Sequence, residues 1–251
     1  MPVQTFLGDC LEIMPTLADE SVDTIITSPP YNIGKDYECY VDNRNDYLQM
    51  LRQFFYEAKR ITRDSLWVNL GYQKLPQGNI PIAFMIWEAV NMFLVQQITW
   101  EYGSGMTYKS RFNHRSETWL WYVKDPTSYT FNADAVRDPA LSQYPNDKRN
   151  NPIGKLPSDV WYFPTVSGTF KERCKHPAQY PIAMIERIIK ASTNPGDTVL
   201  DPFMGSGSTG VACMRTGRNF KGIEINPVYV TQAQRRIAEA QQQMQLGITE
   251  E

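Results

Sequence analysis

The chain has 251 residues, 42% of them hydrophobic, and a formal net charge of −2, which fits one α/β domain with a sizeable core, with or without an inserted lobe. Its four cysteines, Cys10, Cys39, Cys174 and Cys213, have no C-x-x-C spacing, so they indicate neither a metal site nor a disulfide framework, and we expect a reduced, cytoplasmic compartment. No segment resembles a signal peptide and no apolar run is long enough to cross a bilayer, so we expect a soluble protein without a membrane partner.

Seven short runs rich in β-branched and aromatic residues predict strands: 3–7, 22–27, 65–70, 94–100, 118–123, 198–202 and 219–224. Apolar stripes at helical spacing lie between them: Leu48, Leu51, Phe55 and Ala58 after an Asp46 cap; Ile82, Ile86, Val90 and Phe93; Ile182, Ile185 and Ile189 after Pro181. A last helix begins at Asn226-Pro227 with Val230, Ala233, Ile237 and Ala240 on its apolar face, and residues 241–251 are expected to fray. This alternation predicts an α/β fold in which helices flank one open, mostly parallel sheet of seven strands.

An unusual turn, Ser28-Pro29-Pro30-Tyr31, follows the predicted strand 22–27. The two prolines forbid continuation of the strand, so the chain must turn there. The turn offers a hydroxyl, carbonyls that accept hydrogen bonds, and one flat ring. These groups suit a planar base, whose exocyclic amine would donate to the Ser28 side chain and the Pro29 carbonyl while its ring stacks on Tyr31. The alternative is a plain strand-ending turn with an incidental aromatic residue.

The middle of the chain is basic and irregular. Residues 103–175 contain eleven Lys or Arg against seven Asp or Glu, a net charge of +4. Six prolines punctuate residues 125–170 and no apolar period holds, so we interpret this part as an insertion. Because loops on a rigid scaffold often carry recognition, the insertion and the preceding loop 103–115 are candidates for reading a nucleic acid. The alternative is a structural cover with Trp161, Tyr162 and Phe163 in its core. His114 is best explained as a solvated or phosphate-facing residue of the basic loop.

A glycine-rich turn follows the predicted strand at Thr198, in the segment Asp201-Pro202-Phe203-Met204-Gly205-Ser206-Gly207-Ser208-Thr209-Gly210. Glycines there permit positive φ and let a ligand approach the backbone, while free amides at a helix N-terminus favour negative charge. The next strand ends in Glu224, the position from which an acid would hold ribose hydroxyls. Taken alone, this half fits any nucleoside-containing cofactor, including a nicotinamide dinucleotide.

Together the two turns resemble the amino-methyltransferases that act on DNA with S-adenosylmethionine as methyl donor. That family carries D/N/S-P-P-Y/F/W as its catalytic loop and D-P-F-x-G-S-G-T/S as its cofactor loop. Here the catalytic loop comes first, which is similar to the permuted β-group order. The run His176-Pro177-Ala178-Gln179-Tyr180-Pro181 resembles the family's H-P-A-x-aromatic-P segment, and Gly8-Asp9-Cys10 resembles the turn that touches the cofactor's adenine. The likeness spans residues 3 to about 240.

The resemblance implies a Rossmann-like methyltransferase fold over residues 1–251, with an inserted target-recognition segment at 103–175. It implies a catalytic set of Ser28, Pro29, Pro30 and Tyr31. The expected S-adenosyl-L-methionine contacts are Asp9, Cys10, His176, Pro177, Asp201, Pro202, Phe203, Gly205, Ser206, Gly207, Thr209, Glu224, Ile225 and Asn226. The expected contacts to double-stranded DNA are Lys35, Lys109, Arg111, Arg115, Arg149 and Lys155. A cognate restriction endonuclease is an expected partner, and the oligomeric state stays open, with a homodimer as one alternative.

The residue before Pro-Pro bears on the target base. In this family Asp or Asn there generally goes with adenine N6, and Ser preceded by Thr generally goes with cytosine N4; this chain has Thr27-Ser28. A hydroxyl can donate as well as accept, so it can satisfy a ring atom beside the amine, whereas an ionised carboxylate only accepts. We therefore predict methylation of cytosine N4, with adenine N6 as the alternative. An RNA or protein amine methyltransferase and a non-catalytic nucleic-acid-binding relative are weaker alternatives, because the loop order and the two intact loops argue against them.

Overall fold

The computed structural model describes residues 1–37, 41–103, 105, 107–138, 151–166 and 172–247. The strands are β1 Val3–Leu7, β2 Val22–Thr27, β3 Thr62–Leu70, β4 Tyr72–Leu75, β5 Gly78–Pro81, β6 Phe93–Glu101, β7 Ser116–Val123, β8 Val160–Tyr162, β9 Thr198–Asp201 and β10 Asn219–Glu224. The α-helices are α1 Cys10–Ile13, α2 Tyr47–Ile61, α3 Ile82–Met85, α4 Ile182–Ser192, α5 Ser208–Thr216 and α6 Pro227–Gln245.

Eight of the described strands form one sheet in the order β1-β10-β9-β2-β3-β7-β6-β8. Neighbouring strands are parallel except where β7 pairs with β3 and with β6. All seven predicted strands are confirmed, as is the mostly parallel α/β fold. The sheet has an eighth strand, β8, which the sequence did not reveal because its three residues lie among prolines. Its register places Trp161 beside Trp100 of β6.

Each face of the sheet carries its own apolar core. One core joins Trp67, Trp119 and Trp121 to the buried faces of α4, α5 and α6. The other joins Ile25 and Leu66 to α1, α2 and α3. The sheet is therefore covered by helices on both faces. The ends of its strands stay uncovered, and a binding site can form there.

The predicted helices are mostly confirmed. Helix α2 buries Leu51, Phe55 and Ala58, but Leu48 is 40% exposed, and the Asp46 side chain bonds to Arg44 instead of capping the helix. The stripe at 82–93 was overextended: only Ile82–Met85 is helical, a hairpin of β4 and β5 precedes it, and Phe93 begins β6. Ile82, Ile86 and Val90 are nevertheless buried. The turns after α3 thus bury apolar residues at the same sequence spacing as a helix would.

The described parts of the insertion pack along α4. At the C-terminal end of that helix, the Asn132 backbone N–H donates to the Ala191 carbonyl and the Asn132 side-chain amide donates to the Thr193 carbonyl. Trp161 is buried as predicted and Phe163 packs against the core, but Tyr162 is 63% exposed, so its assignment to a buried cover was wrong. Tyr162 points away because side chains alternate along β8. Within the described residues, no helix has both the length and the apolar character needed to cross a membrane.

Candidate active site

A cavity of about 600 Å³ opens where β2, β3, β9 and β10 end. The carboxyl ends of parallel strands meet at one edge of a sheet, so the turns that follow them converge there. The predicted catalytic turn, residues 28–31, lines this cavity together with the glycine-rich turn after β9. The structure therefore brings together two segments that lie about 170 residues apart in the chain.

Tyr31 is the most restrained side chain of the catalytic turn. Its hydroxyl lies 3.2 Å from Ser28 Oγ, 2.6 Å from Asn69 Oδ1 and 3.0 Å from Glu117 Oε2. Gly71 lies against the ring, and a Cβ at that position would stand 2.6 Å from Tyr31 Cε2. Burial raises the pKa of the Tyr31 phenol well above its usual range, so the hydroxyl keeps its proton.

Both prolines of the turn line the cavity. The Pro30 carbonyl accepts a hydrogen bond from the Tyr47 hydroxyl at 2.9 Å and is therefore already occupied. Of the two, the Pro29 carbonyl is thus the candidate acceptor for a ligand in the cavity. Because proline fixes φ, this arrangement is rigid.

The buried carboxylate of Asp201 ties β2 to the turn after β9. It accepts from Thr27 Oγ1 at 2.7 Å, from Thr209 Oγ1 at 2.6 Å and from the Phe203 amide at 3.2 Å. Burial raises its pKa to about 6, against the lowering effect of these three donors. Asp201 and Thr209 do not line the cavity. They hold the glycine-rich turn in place from outside the cavity.

Glu224 lines the cavity and also anchors the glycine-rich turn. Its carboxylate accepts from the Gly205 amide at 2.8 Å through one oxygen and from the Asn226 amide at 2.9 Å through the other. Each oxygen keeps a further lone pair for a ligand hydroxyl. Asn226 itself caps α6 through its side chain, which accepts from the Val228 amide at 2.9 Å, and it does not line the cavity.

The glycines of the turn have different duties. Gly205 has a φ of 50°, and a Cβ there would stand 2.7 Å from His176 Nε2, so this backbone lies against the cavity wall. Gly207 has a φ of 79°, but its neighbour is Ala233 of α6, and Gly210 abuts Ile237 and Phe220. The last two therefore allow close packing of α5 and not close approach of a ligand, which corrects our interpretation of the glycine pattern.

The remaining predicted cofactor residues line the cavity, and some of them also stabilise neighbouring elements. His176, Pro177, Pro202, Phe203, Ser206 and Ile225 line the cavity, as do Asp9 and Cys10. The Asp9 side chain also caps α1 by accepting from the Leu11 amide at 2.9 Å. Burial lowers the pKa of His176 to about 4, so its ring is neutral, and Nδ1 accepts from the Ala178 amide. Burial likewise raises the pKa of the Cys10 thiol, which stays protonated.

The predicted DNA contacts lie in three places. Lys35 lines the cavity, and its ammonium donates to the Pro177 carbonyl at 2.9 Å. Lys109, Arg111 and Arg115 belong to the loop between β6 and β7, whose flanking residues Trp100 and Glu117 line the cavity. Lys155 is exposed and pairs through its backbone with Asp138. Arg149 lies outside the described residues.

Several cavity residues have no counterpart in the predicted site, among them the polar residues Asn69, Glu117, Asp42 and Ser208. Asn69 and Glu117 stand at the ends of β3 and β7, and the antiparallel register of these strands brings them together. The pKa of the buried Glu117 carboxyl is raised by desolvation. Ser208 Oγ and Asp42 Oδ2 are buried without a hydrogen-bond partner among the described residues. Such buried polar atoms call for a ligand or water.

The chain is similar to known DNA methyltransferases. The chain matches the model of the DNA methylase family over residues 22–235. It is 41% identical to the type II methyltransferase M.ScaI of Streptomyces caespitosus, over 95% of this chain and 83% of that protein. It is 35% identical to the DNA adenine methyltransferase YhdJ of Escherichia coli, over 92% of this chain and 81% of that protein.

Two solved structures share the architecture. PvuII DNA methyltransferase, described as cytosine-N4-specific, superposes with a TM-score of 0.74 at 20% identity, covering 98% of this chain and 94% of its own. M1.HpyAVI, solved as a complex with SAM, superposes with a TM-score of 0.63 at 28% identity, covering 94% of this chain and 98% of its own.

Proposed function

The chain belongs to the DNA methylase family, whose members methylate amines of DNA bases with S-adenosylmethionine, and we propose that its own target is the N4 amine of cytosine. The observation that carries the choice of base is Ser28, a hydroxyl where the alternative would be a carboxylate or an amide. The enzyme class and the cofactor do not depend on that choice.

The cavity wall fits S-adenosylmethionine, which supplies an activated methyl group on sulfur. Glu224 offers carboxylate lone pairs to ribose hydroxyls, and its two backbone anchors fix their direction. Ser208 Oγ, buried at the N-terminus of α5 without a partner among the described residues, suits the polar end of the methionine portion. The apolar wall of Phe203 and Ile225 suits a purine ring.

The chemistry requires the target amine to become nucleophilic. Its lone pair is delocalised into the base, so hydrogen bonds from the amine to Ser28 Oγ and the Pro29 carbonyl would favour a tetrahedral nitrogen and localise that lone pair. The methylated amine then loses a proton readily, so no strong base is needed. Rigid alignment of the two reactants is worth roughly 7 to 11 kcal/mol, and the two prolines supply that rigidity.

The base must leave the duplex before its amine can reach the turn. A flipped base would stack on Tyr31, whose ring is held against Gly71 by three contacts to its hydroxyl. Adenine N6 is the second candidate target, favoured by the likeness to YhdJ. The type II methyltransferase relatives also suggest a cognate restriction endonuclease, and we keep a homodimer as a further proposal.

The base assignment predicts one product. DNA from a methylation-free host that expresses this chain should contain N4-methylcytosine by mass spectrometry, and mapping of modified positions should give the recognition sequence. The matched control is a host that expresses Pro29→Ala, which should show a strong loss of the modified base. N6-methyladenine as the sole product would overturn the base assignment and leave the enzyme class intact.

The basic loop predicts a salt signature. If Arg111 and Arg115 contact phosphates, each change to Ala should reduce the slope of log affinity against log salt by about 0.9 on any duplex. If either reads a base, discrimination should instead relax by roughly 1 to 3 kcal/mol at one position. Titrations of cognate and scrambled duplexes at several salt concentrations separate the two.

Arg63→Ala is the control for these titrations. Arg63 lies near the start of β3, at the opposite end of the sheet, where it bonds to Asp23 at 2.8 Å. Arg63→Ala removes the same charge as the loop variants, and we expect it to leave DNA affinity unchanged. Parent-like binding by both loop variants would assign recognition to the segment around Lys35 and Arg44.

A further inference from the structure

The Tyr31 hydroxyl has one proton but three oxygen neighbours, so it cannot donate a hydrogen bond to all of them. It lies 2.6 Å from Asn69 Oδ1, 3.0 Å from Glu117 Oε2 and 3.2 Å from Ser28 Oγ. A hydroxyl donates once and accepts twice. At most one of the three contacts is therefore a bond that Tyr31 donates, and the other two need protons from their partners.

The Asn69 contact takes the proton of Tyr31. The Asn69 Nδ2 group donates to the Thr118 carbonyl across the β3–β7 pair, at 3.3 Å. Turning the amide over would set its oxygen against that carbonyl, so Oδ1 must face Tyr31 and accept from it. Ser28 and Glu117 are then left to donate to the Tyr31 oxygen. Ser28 always has a proton to give, but Glu117 has one only when it is protonated.

We propose, building on the methyltransfer function above, that Glu117 is a positioning residue whose protonated carboxyl donates to the Tyr31 hydroxyl. In this arrangement each of the three contacts of the Tyr31 hydroxyl holds one proton. The Ser28 hydroxyl points its hydrogen at Tyr31, so its two lone pairs can accept one bond from the Tyr180 hydroxyl, with which it also interacts, and one from the target amine. Ionised Glu117 would instead compete with Asn69 for the single Tyr31 proton, and the orientation of Ser28 would be lost.

The surroundings of Glu117 support this protonation. Its carboxyl is buried, and desolvation, the largest effect, raises its pKa. The titratable groups that face it are Tyr31, Lys35 and Tyr37 after β2, Tyr102 after β6, and Tyr180 before α4. The tyrosines have raised pKa values, about 12 for Tyr102, and stay neutral. The hydrogen bond with Tyr31 and the charge of Lys35 act in the opposite direction and lower the pKa of Glu117, while burial lowers the pKa of Lys35 itself.

The test is the pH dependence of single-turnover methyl transfer at saturating DNA and S-adenosylmethionine, between about pH 5 and pH 9. The parent rate should fall as pH rises through the Glu117 pKa, because the active form is the protonated one. Glu117→Gln carries a permanent donor, so it should keep the rate within about threefold and lose this fall. Glu117→Ala should be slower by about tenfold at every pH, the loss of one hydrogen bond. Glu239→Gln, an exposed acid on α6, should match the parent.

Two further measurements test the role of Glu117 separately from the proposed methyltransferase function. Infrared difference spectra recorded below the pH at which the parent's rate falls should show the carbonyl stretch of a protonated carboxyl that is absent in Glu117→Gln, whether or not DNA is methylated. Calorimetric affinity for S-adenosylmethionine should be the same in all variants. The inference is overturned if Glu117→Gln keeps the parent's fall with pH, if it is as slow as Glu117→Ala, or if the infrared band is missing. A parent that transfers no methyl group to any DNA would instead sink the proposed function.

Discussion

Replacement of Glu224 by alanine is expected to lower the affinity for S-adenosylmethionine by about 100-fold or more, because two effects add. Bonds from a charged carboxylate to ribose hydroxyls are worth roughly 1.5 to 3 kcal/mol. The same carboxylate also satisfies the Gly205 and Asn226 amides, which would be left buried and unpaired. Each lost anchor frees part of the cofactor turn, so the binding geometry is lost together with the direct contacts.

Isothermal calorimetry with S-adenosylmethionine measures this effect, and gel-shift titration of DNA provides the contrast. DNA affinity should stay within about threefold of the parent, because no base or phosphate is expected at Glu224. Glu224→Gln is the matched variant: it keeps one carbonyl oxygen and should fall between the parent and alanine. The exposed acid Glu239 changed to alanine should bind like the parent. Near-parental cofactor affinity in Glu224→Ala would refute its role in the cofactor site.

The sequence was most informative where a residue's partners are its own neighbours in the chain. Strands such as Val22–Thr27 and Asn219–Glu224 can be predicted from their β-branched residues, and the turns that end them can be predicted from proline or glycine. The start of the long helix α6 was equally predictable, because its cap and its first-turn proline are local features, but the helix continues to Gln245, past residue 241, where we expected it to fray. These elements fix where the sheet edge lies, and with it the place of the cavity.

Features that depend on distant partners were out of reach. Glu117 and Asn69 belong to strands that pair antiparallel, and no pattern within either strand predicts that both would meet the Tyr31 hydroxyl. The glycine-rich turn shows the same limit. Gly205 serves the cavity, whereas Gly207 and Gly210 make room for α6, a helix that begins many residues later. Glycines of one sequence motif thus have different roles, at the cavity or in helix packing, and only the three-dimensional structure tells them apart.

Removal of the Tyr31 ring should be the most damaging single change to catalysis that leaves the cofactor site whole. Stacking of a base on an aromatic side chain is worth roughly 1 to 3 kcal/mol, and the hydroxyl adds the orientation of Ser28. We therefore expect Tyr31→Ala to slow single-turnover methyl transfer by about 100-fold or more. The space beside Gly71 would also open, so a flipped base would lose its platform and its fixed distance from the catalytic turn.

Tyr31→Phe separates the ring from its hydroxyl. It keeps the stacking surface and the contact with Gly71, so it should be slower than the parent by only about tenfold, the cost of one lost hydrogen-bonded connection to Ser28. Because Glu117 then has no hydroxyl to donate to, the fall of rate with rising pH should flatten, as in Glu117→Gln. Both Tyr31 variants should bind S-adenosylmethionine like the parent in calorimetry, since we assign the ring to the flipped base and not to the cofactor. If Tyr31→Ala abolished cofactor binding, the ring would belong to the cofactor site, and its assignment to the flipped base would fail.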